Sequence, residues 1–144
     1  VTAETVDIIE PWLYGQISTD SDLLSLVNGL DHISDAQSLE EMPLPYVSFA
    51  LMSSRDIQGN AGRIIAVDCI YLVKATDATA SWDDLISIEA RLHVLLHHEN
   101  MTVTTSNGSL SCVRERIHQQ TETIEGVQYR HLGATWRIRA SRDI

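Results

Sequence analysis

Residues 1–54 of this chain contain no lysine and no arginine, against nine acids: Glu4, Asp7, Glu10, Asp20, Asp22, Asp31, Asp35, Glu40 and Glu41. Such a surface cannot displace counterions from phosphate, and a formal charge of −10 over the whole chain argues the same way. A sequence-specific nucleic-acid partner is therefore not expected. Long apolar runs are also missing. Nothing approaches the roughly 18 residues of a membrane span, and the opening VTAETVDIIE is acidic where a secretion signal would be basic. No membrane partner is expected, and the chain should be made in the cytoplasm.

Cysteine is scarce. Cys69 and Cys112 each sit inside an expected strand among apolar neighbours, which predicts buried thiols rather than a disulfide framework. Neither has a helix N-terminus or fixed basic neighbour to lower its thiol pKa. The catalytic signatures are missing as well: there is no Gly-x-Ser-x-Gly elbow and no His-Glu-x-x-His pair. Gly59 and Gly62 belong to a turn with no helix after it, so they make no phosphate loop. The nearest approach to a metal pattern is Glu89, His93 and His97, spaced four apart on a helix with His98 and Glu99 beyond. Two histidines at that spacing can share zinc, but this face borders an apolar stripe where half-buried histidines are common. The expectation is a protein with no catalytic residues, no metal and no cofactor, and not an enzyme.

What is present is a pattern of strands around one helix. Pro43 and Pro45 stiffen the entry to Tyr46–Met52, where Val47, Phe49 and Leu51 alternate with polar or small residues. The turn Gln58-Gly59-Asn60-Ala61-Gly62 leads into Arg63–Lys74, rich in β-branched and aromatic residues, which predicts a hairpin. One face of this second strand is Val67, Cys69, Tyr71 and Val73. The other, Ile64, Ala66, Ile70 and Leu72, is nearly as apolar but is broken by Asp68. A strand apolar on both faces needs a cover on each, and a neighbouring subunit is expected over part of it.

Ser81 and Asp84 suit a capping box for a helix running to about His98, with Trp82, Leu85, Ile88, Leu92, Leu95 and Leu96 on one stripe. Three further strands, Met101–Thr105, Leu110–His118 and Val127–Ala140, are separated by Asn107-Gly108 and Glu125-Gly126. Upstream, Val6, Ile9, Leu13 and Ile17 predict an amphipathic helix kinked at Pro11. Thr19 and Asp22 predict a capping box for a short helix over Ser21–Val27, and Leu30–Leu39 reads as an edge segment or loop. The predicted fold class is α+β: an antiparallel sheet of four or five strands packed by one long helix, with an N-terminal helical segment. One domain is expected over 1–144, divided into a helical segment at 1–40 and a strand-strand-helix-strand-strand core at 43–142.

The closing strand alternates Leu132, Ala134, Trp136, Ile138 and Ala140 with Gly133, Thr135, Arg137 and Arg139. In the strand before it, Val113 and Ile117 oppose Arg114 and Arg116, while the apolar Leu110 and Cys112 are out of phase with Val113 and Ile117, which predicts a bulge near Cys112. Arg114, Arg116, Arg137 and Arg139 could then share one face, a docking surface for a carboxylate-rich partner, with Ile70 and Leu72 supplying apolar contact.

The ordering LPYVSFALMSSRD, VDCIYLVKATD, SWDDLISIEARLHVLL and HLGATWRIRA, within residues 43–142, resembles the bacteriophage tail terminator, or tail-completion, family. The resemblance implies a virion structural protein whose copies form a ring, a hexamer, at the head-proximal end of the tail tube. That ring would end the tube and join it to the head and neck. The implied partners are further copies of the chain, the tail tube protein and a neck or head-completion protein. The implied location is the tail-neck junction of the virion after assembly in the host cytoplasm. Two other readings share the outline. One is a different neck component, an adaptor or stopper. The other is a hot-dog-like small-ligand enzyme, for which Asp83 or Asp84 at the helix N-terminus would be the polar residue.

Overall fold

The computed structural model describes residues 5–35, 43–59, 62, 64–78, 81–105 and 107–142. Residues 36–39 of the expected edge segment, Met42, Asn60, Ala61 and Arg63 at the hairpin, and the acids Glu4, Glu40 and Glu41 lie outside the described residues. A π-helical turn, Thr5–Ile9, runs directly into α1, Glu10–Ser18. Pro11 stands in the first turn of α1, where a missing N–H leaves no intrahelical bond unmade. Helical backbone thus runs from Thr5 to Ser18 and changes from the π to the α pattern just before the proline.

α2, Ser21–Val27, is capped by Asp20, whose Oδ2 accepts from the Leu23 N–H at 2.9 Å; the expected Thr19 cap instead donates its hydroxyl to the Gly15 carbonyl. Asn28 ends α2 in the left-handed region. A short 3₁₀ turn, Leu30–His32, leads to β1, Ile33–Asp35.

β2, Tyr46–Gln58, and β3, Ile64–Asp77, form the first hairpin. α3, Asp83–Leu96, follows. The Ser81 hydroxyl accepts from the Asp83 N–H at 3.1 Å, while the N-cap position falls one residue later, on Trp82, whose side chain makes no capping bond. β4, His98–Thr104, starts where the helical reading still continued. His97 is already extended, and its ring Nδ1 accepts from the Arg114 N–H at 3.2 Å. β5, Gly108–Ile124, and β6, Val127–Arg142, are joined by Glu125 and Gly126, both at positive φ, the backbone of a tight two-residue hairpin turn.

The expected sheet was antiparallel with four or five strands under one long helix. The observed sheet has six strands in the order β1-β2-β3-β6-β5-β4 and is mixed, because β1 joins β2 in parallel. β1 has only three residues, too few to show any period. The cover also differs, being three helices instead of one. α1 and α2 lie beside α3, tied to it by the Gln16 amide donating to the Leu95 carbonyl at 3.0 Å and by a two-point ion pair between Arg91 and Asp20 at 2.7 and 2.8 Å. The Arg91 guanidinium holds the Asp20 carboxyl below its ordinary range.

The core lies between this helical layer and one face of the sheet. Leu13, Ile17, Leu23, Val27, Leu85, Ile88, Leu92 and Leu96 meet Val47, Val67, Cys69, Tyr71, Val73, Ala134, Trp136 and Ile138, all of them fully buried. Each such valine, leucine or isoleucine side chain contributes roughly 1.5–3 kcal/mol of burial free energy. Cys69 and Cys112 are both buried, and burial pushes the Cys112 thiol well up. Gly133 has no room for a side chain. A Cβ there would run into the Val73 carbonyl and Lys74 on the neighbouring strand, so only glycine lets β3 and β6 approach this closely.

Candidate assembly surface

Alternation along β3 and β6 sends every second side chain away from the helices. On that second face the register sets Asp68 beside Arg139, Ile70 beside Arg137 and Leu72 beside Thr135. Ile70 and Leu72 are half-buried. Ser53, Arg55 and Ile57 of β2 extend the face on one side, and Ser111, Val113 and Arg116 of β5 on the other. Among the described residues no helix lies over it.

The centre of this face is an acid held by three arginines. Asp68 accepts from Arg55 at 3.4 Å and lies 3.5 Å from Arg137 and 3.7 Å from Arg139. The Asp68 side chain is only 5% exposed, while the three arginines are 74%, 52% and 56% exposed. Arg137 also lies 3.6 Å from Glu115. Three cations around one carboxylate leave an excess of positive charge, carried on side chains with most of their polar surface in water.

Of the residues singled out in the sequence, the structure brings Arg116, Arg137, Arg139, Ile70 and Leu72 onto this one face. Arg114 is not among them. The bulge falls between Arg114 and Arg116 instead of near Cys112, and the extra residue, Glu115, turns the two arginines to opposite sides of the sheet. Arg114 points under α3, where its Nη1 lies 3.5 Å from Glu89 Oε1. Arg55 and Asp68 were missed. The polar break that Asp68 makes in an apolar stripe was the available signal; which arginines surround it depends on strand register.

Glu89, His93 and His97 line the inner side of α3 beside Trp136. The two imidazoles stack at 4.7 Å, and His93 lies 6.0 Å from the Trp136 ring. Burial pushes the Glu89 carboxyl up to about 7 against the opposing pull of Arg114, and it pushes the His93 imidazole down. Among the described residues no three histidine, cysteine or acidic side chains are placed to hold a metal ion.

Nearer the β5–β6 turn, on the arginine-bearing side, the Thr76 hydroxyl meets His131 Nδ1 at 2.8 Å and Glu122 meets His131 Nε2 at 2.6 Å. The order hydroxyl, imidazole, carboxylate is that of a hydrolase triad. Thr76 is completely buried near the end of β3, however, so no substrate reaches its oxygen. The network satisfies polar groups within the sheet. Asp83 and Asp84 are exposed at the start of α3.

Neither the models of known protein families nor the curated proteins match this chain. Among solved structures it is similar to a chain of the virion of a native gene transfer agent (GTA) particle. The TM-score is 0.74 at 17% identity, over 97% of this chain and 99% of that one. The fold is one found in a virion particle. Nearly end-to-end coverage means that the helical layer, both hairpins and the short edge strands belong to one shared architecture.

Proposed function

We propose that this chain is a structural protein of a phage-like virion, acting as one domain over its whole length. In this reading its copies form a ring, a hexamer, at the head-proximal end of the tail tube, ending the tube and joining it to the neck. The observation that carries the reading is the near full-length likeness to a chain of a virion particle. The face built on Arg116, Arg137, Arg139, Ile70 and Leu72 supports it by offering a surface for an acidic neighbour. The exposed acids Asp7, Asp22, Asp31 and Asp35 all belong to the N-terminal part of the chain, which carries no basic residue. Opposite poles favour head-to-tail over self-matching contacts. The chain would be made in the host cytoplasm, reside at the tail-neck junction, and work by binding alone, without cofactor.

In this reading the arginine face meets acidic surface on a neighbouring subunit or on the adjoining tube ring. Purified protein is expected to appear as ring particles in negative stain and to co-sediment with tail tubes, more weakly as salt is raised. The double variant Arg137→Glu, Arg139→Glu should keep its circular dichroism spectrum and lose tube binding at low salt. A wild-type protein that forms no rings and binds no tubes defeats the reading; a double variant that binds tubes as well as the parent defeats the role of the arginines. A different neck component would form rings but prefer neck proteins over tube ends.

A further inference from the structure

Among the described residues, the sheet's own short strands leave two long edges open. β1 pairs with β2 only from Val47 to Phe49, so among the described residues nothing pairs with the outer edge of β2 from Ala50 to Gln58. At the other side β4 pairs with β5 from Ser109 to Cys112 and His97 Nδ1 takes the Arg114 N–H, so among the described residues nothing pairs with the outer edge of β5 from Glu115 to Ile124. Open edges present rows of unpaired N–H and C=O groups, and folded chains usually blunt them with proline, lysine or a very short strand. Neither open stretch contains a proline or a lysine. Each also leaves a large apolar side chain in water, Met52 on β2 and Ile117 on β5.

These two edges complement one another. β2 and β5 run in opposite directions, as the alternating antiparallel pairings of β2, β3, β6 and β5 require. A second copy added head to tail therefore brings its β2 beside the first copy's β5 antiparallel, the sense used throughout the middle of the sheet. The openings also lie at opposite ends of the strands. Leu51–Asp56 is level, through β3, with Trp136–Ala140 of β6, whereas Arg116–Ile124 is level with Thr135–Val127. An incoming copy displaced along the strands by roughly eight residues, ~26 Å at ~3.3 Å per residue, fits both openings. Its β1 then abuts the Glu125-Gly126 turn of the first copy, while the first copy's β4 lies beyond the end of the incoming β2.

We propose that copies of this chain join by strand addition, the Ala50–Gln58 edge of one pairing antiparallel with the Glu115–Ile124 edge of the next. The two short strands act as end stops that set the register, placing Ser54 opposite Thr121. The occupant of each edge is a second copy because each copy carries both halves of the joint, at matching offset and direction. The main-chain bonds supply affinity and the stops supply specificity. Closing such an array requires strands that slant to the ring axis, and a displacement in the same direction at every joint supplies that slant. This deepens the ring reading, on which it rests, by naming the contact between subunits; it leaves the arginine face free for the tube.

The test is cross-linking with a short bis-maleimide in the full-length chain. Ser54 and Thr121 are exposed and both belong to the helix-bearing side by register, while the native Cys69 and Cys112 are fully buried and do not compete. Facing residues of an antiparallel pair hold their Cβ atoms ~5 Å apart, within reach of the linker. A mixture of Ser54→Cys and Thr121→Cys chains should give a linked dimer that neither gives alone. A chain carrying both substitutions should give a ladder whose top rung counts the subunits of the ring. Rings visible by negative stain with no mixed dimer, or with dimers from one variant alone, overturn strand addition and leave the ring standing. Protein that remains monomeric at high concentration and on tube ends overturns the ring and the joint together.

Discussion

Trp136 and Arg137 are neighbours in β6. One is fully buried beneath α3, in contact with the His93 and His97 rings; the other has half its side chain in water beside Asp68. The same division runs along β3, where Val67, Cys69, Tyr71 and Val73 are fully buried while Ala66, Ile70 and Leu72 are not. A single pair of central strands thus serves two purposes at a period of two. The helix-bearing face spends its apolar surface inside the monomer, and the other keeps apolar and basic side chains available to something outside it. If this division is real, substitutions on the two faces must fail in different assays.

The largest effect expected is on the helix-bearing face. Trp136→Ala removes the bulkiest fully buried side chain between α3 and the sheet and should cost about 3–5 kcal/mol of monomer stability in urea denaturation. Among the described residues its indole N–H has no hydrogen-bond partner, so losing that group offsets part of the cost. A variant that unfolds with the parent would show that Trp136 is not core and that the two faces have been exchanged.

The next effect sharpens the comparison by pH. Glu89 is a carboxyl on the buried face, and its Oε2 has no hydrogen-bond partner among the described residues. Burial raises its pKa to about 7 from an ordinary 4.5, outweighing the attraction of Arg114. Between those values the folded chain holds a proton that the unfolded chain has released. Stability contributed by the neutral carboxyl is therefore fully present below pH 4.5 and is lost as pH rises through 7, a change on the order of 3 kcal/mol. His93, whose pKa is lowered first by burial and then by Arg114 and His97, acts in the opposite sense, destabilising the fold as pH falls through 6.5. The difference between parent and Glu89→Gln isolates the carboxylate. The variant should gain on the parent between pH 5 and pH 8 in urea denaturation. A difference independent of pH would mean that Glu89 ionises as if it were in water.

Much of the buried face could be read from the chain. Leu85, Ile88, Leu92 and Leu96 recur at helical spacing and Val67, Cys69, Tyr71 and Val73 at strand spacing, because burial on one side imposes a period on whatever forms it. The rest lacked a period. Gln119 to Thr123 is polar on both faces, so β5 was expected to end at His118; it continues because β6 supplies a backbone partner at every step to the turn. β1 is too short for any pattern. On the arginine face, residue types were visible and their grouping was not. Arg114 and Arg116 are two apart and should agree in direction, and only the extra residue at Glu115 separates them. Asp68 could be seen as an interruption, but its three partners come from β2 and β6 and follow from register, which the identity of one residue does not fix.

The smallest effect expected lies one residue from the largest. Arg137→Ala removes a guanidinium 3.5 Å from a buried carboxylate, which taken alone suggests a costly loss. Two features oppose that. Arg55 and Arg139 remain within 3.4 and 3.7 Å of Asp68, so the carboxylate keeps two cations. Arg137 is itself half-exposed, and water recovers most of what its charge gives up. Monomer stability should fall by no more than about 0.5 kcal/mol in urea denaturation, against about 3–5 kcal/mol for Trp136 beside it. A loss above ~1.5 kcal/mol would mean that the arginines hold the monomer together around Asp68. The second face would then be structural like the first, and its charge would no longer point to a partner.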